Sequence, residues 1–137
     1  MNIASVFAWA NLTLGASLAL AAASPFAGAA LTLFALVQPS QAPDLADQPL
    51  ARWIAGIAGG VWAGWGASMV RSLAGAPPVE SVRTGLLVWC ALDSLASATN
   101  GAWADVLVNL SWIGFGWLAT RSSGAAGTAA GTAAQAR

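Results

Sequence analysis

An acidic residue inside an apolar stretch is the feature of this sequence most able to do chemistry. Asp93 lies within residues 84–100, TGLLVWCALDSLASATN, which is otherwise an apolar or small-residue run. An ionisable side chain at membrane depth costs about 2.5–3.5 kcal/mol on insertion scales, so it is a functional candidate by default. At about 100° per residue Ser97 shares its helix face, and in the next segment Asp105 shares a face with Asn109. These side chains therefore fall on two helix faces that could meet.

The turn between the two segments sets the depth of each polar residue. The pair Asn100-Gly101 predicts a tight turn. Asp93 lies eight residues before Gly101 and Asn109 eight after it, so we expect them to share hydrogen bonds. Ser97 and Asp105 match in the same way, four residues to either side. With one residue from the middle of the first apolar run, the candidate polar cluster is Asp93, Asn109, Ser97, Asp105 and Asn11.

Three interpretations of this polar cluster are open. In a structural role the side chains satisfy one another between helices, with Asp93 neutral and donating, at about 0.6 kcal/mol per bond. In a transport role Asp93 is a proton- or ion-coupled site at the membrane midplane. In an enzymatic role Asp93 and Asp105 share a proton to activate water. Their separation of four residues in depth, ~6 Å at the helical rise, disfavours that pair, so we expect no catalytic residues.

The composition indicates a protein covered by lipid. The chain has 137 residues, enough for one domain, and 58% of them are apolar while 7% are charged. An average soluble domain is roughly 25% charged. Five basic and five acidic residues give no net charge, so nucleic acid is not an expected partner. With no His and with Cys90 as the single Cys, the sequence predicts no metal site, no cofactor and no His-dependent enzyme.

Four apolar stretches predict an all-α fold, a four-helix transmembrane bundle. The predicted spans cover about residues 3–24, 52–70, 84–100 and 103–120. The first could instead be a secretory signal peptide, but no basic residue precedes Arg52, which favours a retained helix. Behind Pro25, residues 26–37 are apolar but too short to span, and we expect a short extra interfacial helix there.

Charged residues and tryptophans orient this bundle. Four spans put Arg71, Arg83, Arg121 and the terminal Arg137 on one side, and only Arg52 on the other. The positive-inside rule then predicts that both termini are cytoplasmic, in a bacterial inner membrane. Three tryptophans near predicted span ends fit interfacial anchors: Trp53, Trp103 and Trp117. The transmembrane domain covers residues 1–121, and the Gly/Ala/Thr-rich residues 122–137 predict a disordered tail.

A row of small residues marks the second span as a packing helix. Gly56, Gly60, Gly64 and Ser68 follow one another at every fourth position. Such small-xxx-small repeats let another helix backbone approach closely. We expect this stripe to pack against the first or fourth helix of the chain, with a homo-oligomer interface as the alternative.

The same segments carry a family resemblance. The chain resembles small uncharacterised four-helix integral membrane proteins of proteobacteria, some of which are mislabelled as an excinuclease subunit. The features that carry the resemblance are an AGxxGGxxxGWG helix, an LxxWxxxDS helix and a following apolar helix with an Asn. The matching positions are Gly56, Gly59, Gly60, Gly64, Trp65, Gly66, Trp89, Asp93, Ser94 and Asn109. The resemblance covers about half the chain and implies fold and location, without an activity.

Two functions remain open from the sequence. The first is a non-enzymatic membrane protein of structural or accessory type, with the bilayer and a second copy or a membrane-protein partner as its contacts. The alternative is a small proton- or ion-coupled transporter that uses Asp93. Small multidrug-resistance transporters are a natural comparison, but their essential acid lies in the first helix, where this chain has only Asn11.

Overall fold

The fold is all-helical in the part of the chain that the structure describes. The computed structural model describes residues 2–23 and 48–135, with side chains as far as residue 121. Four helices and no strands occur in these ranges: α1 (Ile3–Ala22), α2 (Pro49–Leu73), α3 (Pro78–Thr99) and α4 (Trp103–Gln135). The prediction of a four-helix, all-α bundle is therefore confirmed, whereas the interfacial helix expected at residues 26–37 lies outside the described residues.

The helix ends follow local sequence signals. The side chain of Asn2 caps α1 by accepting a hydrogen bond from the Ser5 amide at 2.8 Å. Helices α2 and α3 each begin with a proline, Pro49 and Pro78, in the first helical turn. Proline fits there because its missing N–H would have no partner in a helix start. Both helices therefore begin several residues before the predicted spans.

The connection between α2 and α3 is shorter than the sequence predicted. Only residues 74–77 lie between the two helices, and Gly75 makes the turn with a φ of 83°. The predicted loop from Arg71 to Arg83 is mostly helical, because both of those arginines lie inside helical segments. Arg71 is in the last turn of α2, where a cation is favourable to the helix dipole.

The connection between α3 and α4 turns at Asn100-Gly101. Gly101 has a φ of 79°, and the amide of Ala102 donates to the Ser97 carbonyl at 2.8 Å. Helix α4 then continues to Gln135 and so includes residues 122–135, which the sequence predicted as part of a disordered tail. Alanine has the highest helix propensity of all residues, and the Ala-rich composition of the tail explains the extension.

The four helices are arranged as a row in chain order. Helix α2 lies between α1 and α3, and in the described ranges α4 packs on α3 alone. Helix α1 also touches α3, but in the described part of the chain α1 and α4 make no contact. Close contacts of Gly66 with Leu12 and of Gly64 with Gly85 show that successive helices run in opposite directions. The start of α1, the turn at 74–77 and Thr120 therefore share one end of the bundle.

The glycine stripe of α2 packs against α3. A Cβ added at Gly64 would lie 2.5 Å from the Gly85 carbonyl oxygen, and one added at Gly56 would lie 2.3 Å from the Ala96 Cβ. Ser68 Oγ donates to the Ser81 carbonyl at 3.0 Å along the same line. The main partner of the stripe is therefore α3, where the first or fourth helix was expected, and α1 reaches it only at Gly56 through Ala22. The stripe is covered within the chain, so it does not offer a homo-oligomer interface in this fold.

A second face of small residues on α2 packs against α1. A Cβ added at Gly59 would lie 2.4 Å from the Ala19 amide nitrogen, and one added at Gly15 would lie 2.3 Å from the Ala63 nitrogen. Backbones this close leave room only for Gly, Ala and Ser between the helices. Helix α2 is thus held on both sides by backbone-to-backbone packing.

Small side chains are buried and large apolar ones are exposed, which is the opposite of the pattern in a water-soluble bundle. The buried apolar residues are alanines and Cys90, and the largest fully buried side chains are Asp93, Cys90 and Ser97. Large apolar side chains instead face outward on every helix, including Phe115 at 71% exposure. Within the described residues, one helix, α1, is long and apolar enough to cross a membrane. Core helices of soluble proteins and signal sequences can meet the same criterion.

Candidate functional site

The candidate polar cluster is centred on Asp93, in the middle of α3. Its side chain is 2% exposed and faces α2 where that helix has no side chain. A Cβ added at Gly60 would lie 3.2 Å from the Asp93 Cβ, so the acid occupies space that the glycine leaves. Burial among helices removes water from this carboxyl, and hydrogen bonds must replace it.

Ser97 is the hub of these hydrogen bonds. Its hydroxyl oxygen lies 3.3 Å from Asp93 Oδ1 and 2.6 Å from Asp105 Oδ2. It also accepts a hydrogen bond from the indole Nε1 of Trp53 at 2.9 Å. Asp105 itself interacts directly with Asp93. The hub therefore joins α2, α3 and α4 through a fully buried hydroxyl.

The number of protons available restricts how this hub is charged. A hydroxyl has one proton to donate, and the 2.6 Å contact assigns it to Asp105. The contact from Ser97 to Asp93 is a hydrogen bond only when Asp93 carries a proton of its own. Asp105 is half-buried in the first turn of α4, where the helix dipole favours a negative charge.

The close approach of the two carboxyl groups differs from the sequence-based estimate. The estimate placed Asp93 and Asp105 too far apart to share a proton because it used only the helical rise. In the structure both carboxyls reach the hydroxyl of Ser97, which lies between them. The helical rise measures only the backbone. Side chains also extend along the helix axis, and this brings the two carboxyls closer than the rise alone predicts.

Asn109 joins the cluster from α4, as its position in the hairpin predicted. Its side chain is 2% exposed, its Nδ2 donates to Ser94 Oγ at 3.3 Å, and it also hydrogen-bonds the Asp93 side chain. Four of the five predicted cluster residues therefore lie together between α3 and α4.

Asn11 lies apart from the other four. Its Nδ2 donates to the Phe7 carbonyl at 2.8 Å, and its Oδ1 accepts a hydrogen bond from Trp62 Nε1. The expectation that it closes the cluster is wrong, because α1, which carries Asn11, makes no contact with α4 among the described residues. Asn11 instead ties α1 to α2.

Two residues of the site were not assigned to it from the sequence. Trp53 was expected to be an interfacial anchor, yet its indole reaches Ser97. Asn100, which helical spacing puts on the same face as Asp93, was not included in the cluster, and its Nδ2 donates to the Ala22 carbonyl at 3.0 Å and so joins α3 to α1. Of the two, only Asn100 could have been assigned from the sequence, because an amide beside a turn is well placed to hydrogen-bond nearby backbone groups.

The arrangement can hold and pass a proton, and it has no constellation for covalent catalysis. Among the residues that the structure describes, no group of three or more His, Cys, Asp or Glu side chains could hold a metal ion. Cys90 is buried beside the cluster, 1% exposed, which makes it a packing residue. The cluster therefore offers two carboxyls, a bridging hydroxyl and an amide.

No family model matches the chain, and neither the curated proteins nor the solved structures give a match.

Proposed function

We propose that this chain is a small integral membrane protein with a non-enzymatic, structural or accessory role, whose four helices all lie in the bilayer. The observation that supports it best is the distribution of side-chain size. Alanine, glycine and serine fill the helix interfaces, while Leu, Ile, Phe and Trp side chains face outward. In water this arrangement would forfeit the hydrophobic effect, whereas in lipid close backbone packing is what drives helices together.

The helices other than α1 carry membrane-compatible surfaces despite their lower hydropathy. Tryptophan and glycine lower the mean hydropathy of α2, although indoles are favoured at membrane interfaces. The outward face of α4 carries Leu107, Leu110, Phe115 and Leu118, each more than half exposed. A groove of about 320 Å³ on this helix is lined by Val108, Ser111, Trp112 and Phe115. Lipid chains would cover such a surface.

The proposal places the protein in a bacterial inner membrane, with both termini on the cytoplasmic side. The start of α1 and the arginines Arg71, Arg83 and Arg121 share one end of the bundle, in agreement with the positive-inside rule. The resemblance to small proteobacterial membrane proteins supports the same location.

Asp93 has a structural role in this proposal. It is packed against Gly60 and hydrogen-bonded within a cluster that joins three helices. Buried polar groups of this kind fix which helices pair and in which register. The accessory part of the proposal needs a contact surface, and α4 supplies it because, of the helices that the structure describes, only α3 packs against it.

Alkaline carbonate extraction of native membranes tests the membrane placement. The proposal expects the chain to remain in the pellet, and its release into the supernatant would overturn the proposal. Purification of the tagged chain in mild detergent tests the accessory role. A second copy or a membrane protein should co-purify, and a chain that is always monomeric and alone would argue against that role.

Proton-coupled transport through Asp93 is the second candidate function. The observation that favours it is a continuous route of hydrogen-bonding groups. It runs from buried Asp93 through Ser97 to Asp105, which is half-buried in the first turn of α4. The variant Asp93→Asn in proteoliposomes with a pH-sensitive dye separates the two functions. Loss of proton flux with intact folding supports transport, whereas no flux in the unmodified protein supports the structural role.

A further inference from the structure

A second set of side-chain contacts joins α3 and α4 at the end of the bundle away from Gly101. Arg83 Nε donates to Thr120 Oγ1 at 2.8 Å, and the guanidinium carbon of Arg83 lies 4.6 Å from the ring centre of Trp117. The hydroxyl and the indole hold the guanidinium in place, but neither neutralises its charge. The result is a positioned cation between two helices.

The other charges at this end leave Arg83 without a counter-ion. Glu80 pairs with Arg71 at 2.9 Å. This is the only ion pair within the described ranges, and no carboxylate lies within ion-pair distance of Arg83 there. The charge of Arg71 is therefore balanced locally, whereas that of Arg83 is not.

Arg121 adds a second cation on the same side of α4. It follows Trp117 by four residues, so the two share a helix face. Its side chain is exposed. Arg83 lies over the indole of Trp117, and Arg121 lies one turn beyond Trp117 on the same face of α4. An anion bound beside Trp117 would therefore be attracted by both charges.

We propose that Arg83 and Arg121, arranged around Trp117, bind the phosphate of an anionic lipid headgroup. The planar guanidinium matches a phosphate through paired hydrogen bonds. Tryptophan is enriched at headgroup depth, and basic pockets between helices on the cytoplasmic side bind anionic headgroups. This inference rests on the proposed membrane placement, since it puts these residues at the cytoplasmic interface.

Lipid binding to the full-length protein, measured by native mass spectrometry from detergent, tests the inference. The probes are phosphatidylglycerol, phosphatidylcholine and inorganic phosphate, titrated separately. The unmodified protein should retain phosphatidylglycerol in preference to phosphatidylcholine. Arg83→Gln and Arg121→Gln should each weaken phosphatidylglycerol binding about fivefold, the expected effect of one arginine near an anionic surface.

Arg71→Gln is the matched control, because it removes the same charge from the same end of the bundle. It should leave phosphatidylglycerol binding within about twofold, since Arg71 is already paired with Glu80. An equal loss in Arg71→Gln and Arg83→Gln would overturn the proposed site in favour of general charge attraction. Unchanged binding in Arg83→Gln would also overturn it.

Two further arms separate the remaining outcomes. Inorganic phosphate that competes fully at the same concentration as the lipid would overturn the lipid assignment and leave a free-phosphate site. Should Arg83→Gln fail to fold, Arg121→Gln carries the test, because its side chain is exposed. Carbonate extraction of the source membranes tests the membrane placement separately from the lipid site. If the chain stays in the membrane pellet but its lipid binding does not depend on Arg83, only the lipid site is refuted.

Discussion

The hydroxyl oxygen of Ser97 lies 2.6 Å from a carboxylate oxygen of Asp105, and this contact joins α3 to α4. Among residues 2–23 and 48–135, helix α4 packs on α3 alone, so few other contacts from these residues hold it in place. The loss of the Ser97 hydroxyl would also leave the Trp53 N–H without its partner and remove one hydrogen bond from each carboxyl.

Ser97→Ala should therefore lower the free energy of unfolding by about 1–3 kcal/mol, the cost of leaving buried polar groups unsatisfied. The measurement is circular dichroism during SDS titration of detergent-solubilised protein. Ser111→Ala is the control, because Ser111 is exposed and donates to Leu107 on its own helix at 3.0 Å. A loss of the same size in both variants would contradict the role of Ser97.

Trp53 and Trp89 differ in what their indole N–H groups do. Trp53 Nε1 donates to Ser97, whereas Trp89 Nε1 is buried with no hydrogen-bond partner among the described residues. Trp53→Phe should cost about 1 kcal/mol for the lost hydrogen bond. Trp89→Phe should cost less than Trp53→Phe, because it removes an unsatisfied donor. Unfolding of the two variants side by side checks this order, and the reverse order would refute the assigned hydrogen bond.

Substitution of Gly64 tests the packing between α2 and α3, and Gly114 in α4 serves as the matched control. A Cβ at Gly64 would lie 2.5 Å from the Gly85 carbonyl oxygen, whereas a Cβ at Gly114 would meet nothing within 4 Å. Gly64→Ala should destabilise the protein by about 1–3 kcal/mol through overpacking. Gly114→Ala should stabilise it by about 0.5–1 kcal/mol through helix propensity. Equal effects in SDS titration would show that the glycine stripe does not form this interface.

Asp93 should tolerate an amide better than an apolar side chain if its role is structural. Asp93→Asn keeps a hydrogen-bond donor near Ser97 and should change the free energy of unfolding by less than about 1 kcal/mol. Asp93→Leu removes that donor and enlarges the side chain against Gly60, so we expect a loss of about 2–4 kcal/mol. If Asn proved as destabilising as Leu, the neutral, hydrogen-bonded form assigned to Asp93 would be wrong.

The hairpin between α3 and α4 was the part of the site most accessible from sequence. A two-residue turn at Asn100-Gly101 fixes the register, so counting residues from Gly101 brought Ser97 beside Asp105. The same counting placed Asn109 at the depth of Asp93. It could not give side-chain reach, and it therefore overestimated the separation of Asp93 and Asp105.

The neighbours of each helix were less predictable. Periodicity identified the glycine face of α2, but it carries no information on which helix covers that face, and the covering helix is α3. Asn11 was misplaced for the same reason. Its position along the helix gave its depth, but the sequence does not say which helix its side chain faces. The turn at 74–77 was overestimated because Arg71 and Arg83 were read as loop residues. Arg71 lies in the last turn of α2, where the helix dipole favours a cation, and Arg83 lies inside α3.

The membrane placement of all four helices is the central claim, and two-sided cysteine labelling tests it most directly. Ala74→Cys lies in the turn after α2 and Gln48→Cys lies just before α2, both at exposed positions on opposite ends of the bundle. Cys90 can stay in place because it is buried. A membrane-impermeant maleimide is applied to right-side-out and to inverted vesicles.

We predict that Gln48→Cys is labelled only in right-side-out vesicles and Ala74→Cys only in inverted ones, with Cys90 reacting only after SDS is added. Labelling of both introduced cysteines from the same side would contradict the proposed transmembrane arrangement of α2.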